Sequence, residues 1–95
     1  MQIENKSDTW FKQKDMITAL LWSRIRKLCH ENQLDHLYEA ITSISLENDV
    51  LKIRSQEPMI QAELLLFLQN NLPNIASIGT ILGTPILIKK ISCRV

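Results

Sequence analysis

The most constraining stretch of this chain lies between Ile41 and Arg54, where the spacing of apolar residues switches from helical to alternate. Ser43 and Ser45 alternate with Ile44 and Leu46, and beyond Glu47-Asn48-Asp49 the chain alternates Leu51 and Ile53 with Lys52 and Arg54. A period of two builds strands with one wet and one dry face. Asn and Asp tolerate positive φ, so the residues between the two runs predict a hairpin turn.

The flanking segments read as helices. Trp10, Ile17, Leu21, Ile25 and Leu28 recur at helical spacing, with Leu20 and Trp22 widening the stripe, which predicts a helix from about Thr9 to about His30. Ser7 or Asp8 is the expected cap. Asn32 is expected to cap a shorter helix carrying Leu34, Leu37, Tyr38 and Ile41. After the hairpin, Ser55 and Pro58 mark a helix start, with Ser as cap and Pro in the first turn. Met59 to Leu72 is apolar on several sides, as suits a helix lying on a sheet, and Asn70, Asn71 and Pro73 end it. Asn74 to Leu82 allows one or two further helical turns before Gly83-Thr84-Pro85. A last strand places Ile91, Cys93 and Val95 on one face and Lys90, Ser92 and Arg94 on the other. The expected fold is therefore α+β, in the order α-α-β-β-α-β, with a three-stranded sheet covered on one face by helices. Residues 8–95 form one domain behind a flexible N-terminus of residues 1–7.

Ninety-five residues, 45% of them apolar, can bury one modest core, with a stability on the order of 5 kcal/mol. The formal net charge is +1, so the chain is no polycation. Residues 1–49 hold six Lys/Arg against eight Asp/Glu, a balance of −2, and residues 50–95 hold five against two, a balance of +3. Cys29 and Cys93 lie far apart without metal-ligand spacing and read as free thiols in a reducing cytoplasm. Acidic Glu4 and the lack of an apolar core argue against a signal peptide. The uncharged run from Leu64 to Ile88 contains a GxxxG at Gly79 and Gly83, but Gln69, Asn70, Asn71, Pro73 and Asn74 would be costly in lipid. A buried helix followed by a tight loop is expected instead, and no membrane partner.

With helices on the face of Leu46, Leu51, Ile53, Ile91 and Cys93, the opposite face presents Lys52, Arg54, Lys90 and Arg94 among Ser43, Ser45 and Ser92. Four cations interleaved with hydroxyls suit phosphate contacts. No aromatic stands among them, which argues against base stacking. The plain alternative is an open antiparallel sheet that wets one face with long polar side chains. Enzyme readings find less support. His30 and His36 have Glu31, Asp35 and Glu39 nearby, yet a solvated helix surface explains them, and neither a metal nor a catalytic set is expected. There is no GxSxG, P-loop or HExxH, and two glycines cannot form a phosphate-cradling loop at the usual spacing. No cofactor or small-molecule substrate is implied.

The stretch Asp49-Val50-Leu51-Lys52-Ile53, then Pro58, Glu63-Leu64, Leu82-Gly83 and Lys89-Lys90-Ile91-Ser92-Cys93-Arg94-Val95, resembles the DciA family of bacterial replicative-helicase loaders over roughly residues 44–95. The family's shared domain has a strand-turn-strand, a Ser-Pro helix start, a Leu-Gly turn and a basic final strand. Met59 stands where members often carry an aromatic, the upstream Trp-Val-Gly motif has only Trp22 as a distant counterpart, and no helicase-contacting tail follows Val95. The resemblance implies a KH-like domain that binds DNA weakly, meets the replicative helicase and acts in the cytoplasm. It also implies that the chain alone binds without loading. Leu21-Trp22, Leu34, Leu37, Leu46, Leu51 and Ile53 look similar to the N-terminal domain of DnaA, and the C-terminal domain of DnaX shares the order of elements. That likeness implies a protein-interaction domain without nucleic-acid affinity, with Trp22, Leu37 or Tyr38 as partner anchors. An RNA-binding KH domain is disfavoured because its GxxG loop is absent.

Overall fold

The alternating runs form β1, Ile41–Glu47, and β2, Val50–Ser55, paired antiparallel with Glu47 opposite Val50. The structure, a computed structural model, describes residues 6–95, with side chains from Asp15 onward. Asn48 and Asp49 both take positive φ, 52° and 64°, which matches the twist of a two-residue hairpin turn. The last strand, β3, Lys90–Arg94, pairs parallel with β2 in the register Leu51 to Ile91 and Arg54 to Arg94. The sheet order is β1-β2-β3, so β2 is central. The sheet is mixed, not antiparallel throughout, because the chain returns to β3 through a helical crossover.

Before the sheet come α1, Lys6–Glu31, and α2, Asp35–Glu39. Between β2 and β3 the helical segment is broken into a 3-10 turn, Pro58–Ile60, then α3, Gln61–Asn70, α4, Leu72–Ala76, and α5, Ile78–Leu82. The element order is the expected α-α-β-β-α-β of an α+β domain, its crossover helix in pieces, with helices packed on one face of the sheet. Leu21, Ile25 and Cys29 of α1, Leu64 and Leu68 of α3, Ile75 and Ile78 all bury fully against Ile44, Leu51, Ile53 and Ile91. Ile17, Leu20 and Trp22 pack at the margin of this core. Trp10 lies among the residues whose side chains are not described.

Several boundaries differ from expectation for identifiable reasons. Residues 1–5 of the expected flexible N-terminus lie outside the described residues, whereas Lys6 and Ser7 belong to α1. Nothing in Lys6-Ser7-Asp8 breaks a helix, so Ser7 and Asp8 sit inside the first turn and not ahead of it. Ser55 does not cap the crossover helix. It is buried, its hydroxyl donates to the Glu57 carbonyl at 3.4 Å, and Glu57 holds the cap position without a side-chain bond. The expected single helix from Met59 to Leu72 stops at Asn70, where the Asn71 amide reaches back to the Phe67 carbonyl at 2.9 Å. Val95 lies beyond β3 and is exposed, so it does not share the dry face of Ile91.

Asn32 closes α1 and does not open α2: its side-chain amide donates to the Leu28 carbonyl at 2.7 Å. Gln33 follows in the left-handed region, φ 58°. Its N–H bonds His30, and the Leu34 N–H bonds Cys29 at 2.8 Å. This is a Schellman closure with Gln where Gly is usual. A side chain at left-handed φ costs on the order of 1 kcal/mol, part of which glycine returns in backbone entropy. Gln33→Gly is therefore expected to stabilise the fold by about 0.5 kcal/mol, read as an upward shift of the urea midpoint at unchanged slope.

Gly79 has a packing role. A Cβ there would stand 2.7 Å from the Thr84 carbonyl oxygen and 3.0 Å from the Ile86 backbone nitrogen. The small residue lets the chain after α5 fold back over the helix, with the Thr84 N–H donating to the Gly79 carbonyl at 3.1 Å. Gly83 ends α5 at φ 72°, so the GxxxG serves a tight reversal inside the domain. Among the described residues, no helix is long and apolar enough to cross a membrane.

Candidate nucleic-acid interface on the open sheet face

The two registers together fix which side chains share the outer face. Glu47, Val50 and Lys90 form one row across the three strands. Ser45, Lys52 and Ser92 form the next, and Ser43, Arg54 and Arg94 the third. Successive rows are roughly 6.6 Å apart along a strand, and neighbours within a row roughly 4.8 Å. All four sequence-chosen cations, Lys52, Arg54, Lys90 and Arg94, are exposed there. Ser43, Ser45 and Ser92 share the face, and no aromatic interrupts it. A depression of about 150 Å³ opens among Lys52, Arg54, Ser92 and Arg94.

The charge on this face is uneven. Lys52 Nζ stands 3.2 Å from Glu47 Oε2, an exposed pair. Near the hairpin, Lys89 Nζ lies 3.7 Å from Asp49 Oδ2, and the Lys89 N–H donates to the Asp49 carbonyl at 2.7 Å. The hairpin end thus carries its own carboxylates. Arg54 and Arg94, at the far end, stand side by side without a carboxylate partner among the described residues. Sequence reasoning missed Glu47 as a member of the face. The signal was present, since Glu47 continues the outward alternation of Ser43 and Ser45, but its place beside the turn drew it into the loop.

The proposed partner anchors separate. Leu37 is fully buried in the core and offers no surface in this fold, which corrects its assignment as an exposed anchor. Its candidacy rests on the likeness to DnaA, whereas its place on the apolar stripe with Leu34 and Ile41 carries it into the core. Trp22 and Tyr38 are half-buried and meet edge to face, with ring centroids 5.8 Å apart and planes at 88°. They form one aromatic ridge between α1 and α2.

The histidines do not converge. His30 Nδ1 faces Asp35 Oδ1 at 3.3 Å, and His36 Nε2 faces Glu63 Oε1 of α3 at 3.4 Å, both on the exposed surface. No group of three potential metal ligands forms among the described residues. Both cysteines are free, Cys29 buried and Cys93 half-buried beneath the sheet. The side chain of Gln61 donates to the Cys93 carbonyl and ties the start of α3 to β3.

Burial raises the Cys29 thiol from the ordinary 9.0 to about 11, with the charge of Asp35 adding to the rise and a backbone hydrogen bond at Tyr38 opposing it. Above pH 9 the unfolded chain ionises first, so stability is expected to hold up to about that pH and to fall as pH rises towards about 11. Urea melts across this range should show a steeper loss for the wild type than for Cys29→Ala, which has no thiol to titrate.

Compared with known proteins, the chain matches no family model, no curated protein and no solved structure.

Proposed function

We propose that this chain is a DNA-replication accessory module of the DciA kind, which holds nucleic acid weakly on the outer face of its sheet while meeting the replicative helicase or another replication protein in the cytoplasm. It works by binding, with no catalytic step, cofactor or small-molecule substrate. The observation that carries the nucleic-acid part is the register, which gathers Lys52, Arg54, Lys90 and Arg94 on the one sheet face the helices leave bare. Cations spaced among hydroxyls on a rigid sheet match a phosphate backbone, and such contacts give sequence-independent, salt-sensitive affinity. The basic final strand and the hairpin that resemble DciA supply the replication context. Changing all four cations to Gln is expected to abolish retardation of single- and double-stranded DNA at low salt. A quadruple variant that retards DNA like the wild type would mean the face is only solvated.

A second reading is a protein-interaction domain of the DnaA or DnaX type, and the Trp22–Tyr38 ridge favours it. Half-exposed aromatics pinned in one geometry are common anchors at interfaces. In that case Tyr38→Ala loses a replication partner in a pull-down while the wild type shows no DNA shift. Recovery of helicase together with DNA binding favours the first reading.

A further inference from the structure

We infer that the Arg54–Arg94 end of the outer face is a seat for a single phosphate of the nucleic-acid backbone, and that the Lys52–Lys90 end adds little to binding. The inference deepens the reading of this face as a nucleic-acid surface and rests on it.

Its first support is an electrostatic cost that folding alone does not explain. Parallel pairing sets Arg54 directly beside Arg94, on strands roughly 4.8 Å apart. Like charges so placed weaken a sheet. At the hairpin end, Lys52 and Lys89 each have a carboxylate within 4 Å. Lys90 has no ion-pair partner among the described residues, but it shares its row with Glu47. Among the described residues, Arg54 and Arg94 are thus the directly adjacent cations on this face that have no ion-pair partner. An oxyanion placed between them turns the mutual repulsion into a shared attraction.

Chemistry and size agree. A guanidinium presents a planar fork of donors that fits phosphate oxygens two at a time, where an ammonium acts as a point charge. Ser43 stands opposite Arg54 on β1, and Ser92 precedes Arg94 by two residues on the same face, so hydroxyl donors flank the pair. The depression bounded by Lys52, Arg54, Ser92 and Arg94 measures about 150 Å³. That is below the roughly 300 Å³ at which sites for drug-sized ligands begin. It suits one tetrahedral anion with part of its hydration and is too small for a stacked nucleoside. With no aromatic on the face, the base would stay in solvent and the contact would be blind to sequence.

Fluorescence anisotropy with a labelled oligothymidylate, read at several salt concentrations, tests this. Arg54→Gln with Arg94→Gln is expected to weaken binding at low salt by about tenfold or more and to flatten the log–log salt dependence by about 0.7, the share of one single-strand phosphate. Lys52→Gln with Lys90→Gln is expected to change affinity by less than about threefold and the slope by less than about 0.5. Circular dichroism should show the arginine double variant folded and melting no lower than the wild type, since the repulsion is gone. Equal losses from the two pairs would overturn the seat and leave the nucleic-acid reading standing. If the wild type ignores the oligonucleotide, that reading fails, and a pyrophosphate titration followed by amide shifts decides the rest. Shifts confined to Arg54, Arg94 and their neighbours would keep an oxyanion seat, and their absence would overturn it.

Discussion

Leu37→Ala is expected to remove about 3 kcal/mol of stability, within the range of 2–5 for emptying a fully buried leucine site. Against a total on the order of 5 kcal/mol, that leaves a marginal domain whose melting temperature falls by on the order of 15 °C. The reason is local. The helix α2 has five residues, far too few to persist alone, and Leu37 is its one fully buried side chain. Leu37 sits in the same core as Leu21 and Ile25 of α1 and Ile44 of β1, so its loss loosens the corner where both elements meet. Tyr38→Phe, which keeps the edge-to-face contact with Trp22, should change stability by less than about 0.5 kcal/mol. Denaturant melts of both variants check the contrast. A stable Leu37→Ala variant that fails only in partner capture would show that Leu37 faces outward after all.

Gly79→Ala is the other change with a large expected effect, a loss of about 3 kcal/mol from overpacking against backbone. The added methyl meets the Thr84 carbonyl oxygen at 2.7 Å and the Ile86 nitrogen at 3.0 Å. Neither can rotate away as a flexible side chain would. Relief requires the segment after α5 to shift, and that segment sets the approach to Ile88 and to β3, hence the place of Lys90 and Arg94. Gly83→Ala meets no neighbour within 4 Å, but its φ of 72° strains any side chain, so about 1 kcal/mol is expected. Thermal melts should therefore rank Gly79→Ala well below Gly83→Ala. The opposite order would mean that the loop folds back elsewhere.

The sheet was legible in the sequence because its physics is local. Alternation over Ser43–Leu46 and Leu51–Arg54 fixes which side chains are wet, and Asn48-Asp49 accepts the positive φ that a short hairpin requires. The four-cation face followed directly, since register preserves alternation across strands. What was not legible depends on contacts distant in sequence or on backbone that side-chain patterns hide. The parallel pairing of β2 with β3, and with it the Arg54–Arg94 juxtaposition, depends on the crossover and has no local signature. Asn32 looked like a cap for the helix after it because Ser, Thr, Asn and Asp favour that role, yet its amide bonds backward to Leu28. The closing turn passed unseen because Gln33 stands where a glycine would have announced it. Glu47 was hidden by its place beside the turn, though it decides how the charge on the face is shared.

The central claim is that the bare sheet face meets nucleic acid, and the most direct measurement is a titration of the isotope-labelled chain with a short oligodeoxynucleotide at low salt, followed by amide shifts. The account predicts changes gathered on Ser43, Ser45, Lys52, Arg54, Ser92 and Arg94, strongest at Arg54 and Arg94 and reversed by added salt. Shifts gathered on the helical face around α3 to α5, or none while the chain remains folded, would contradict it.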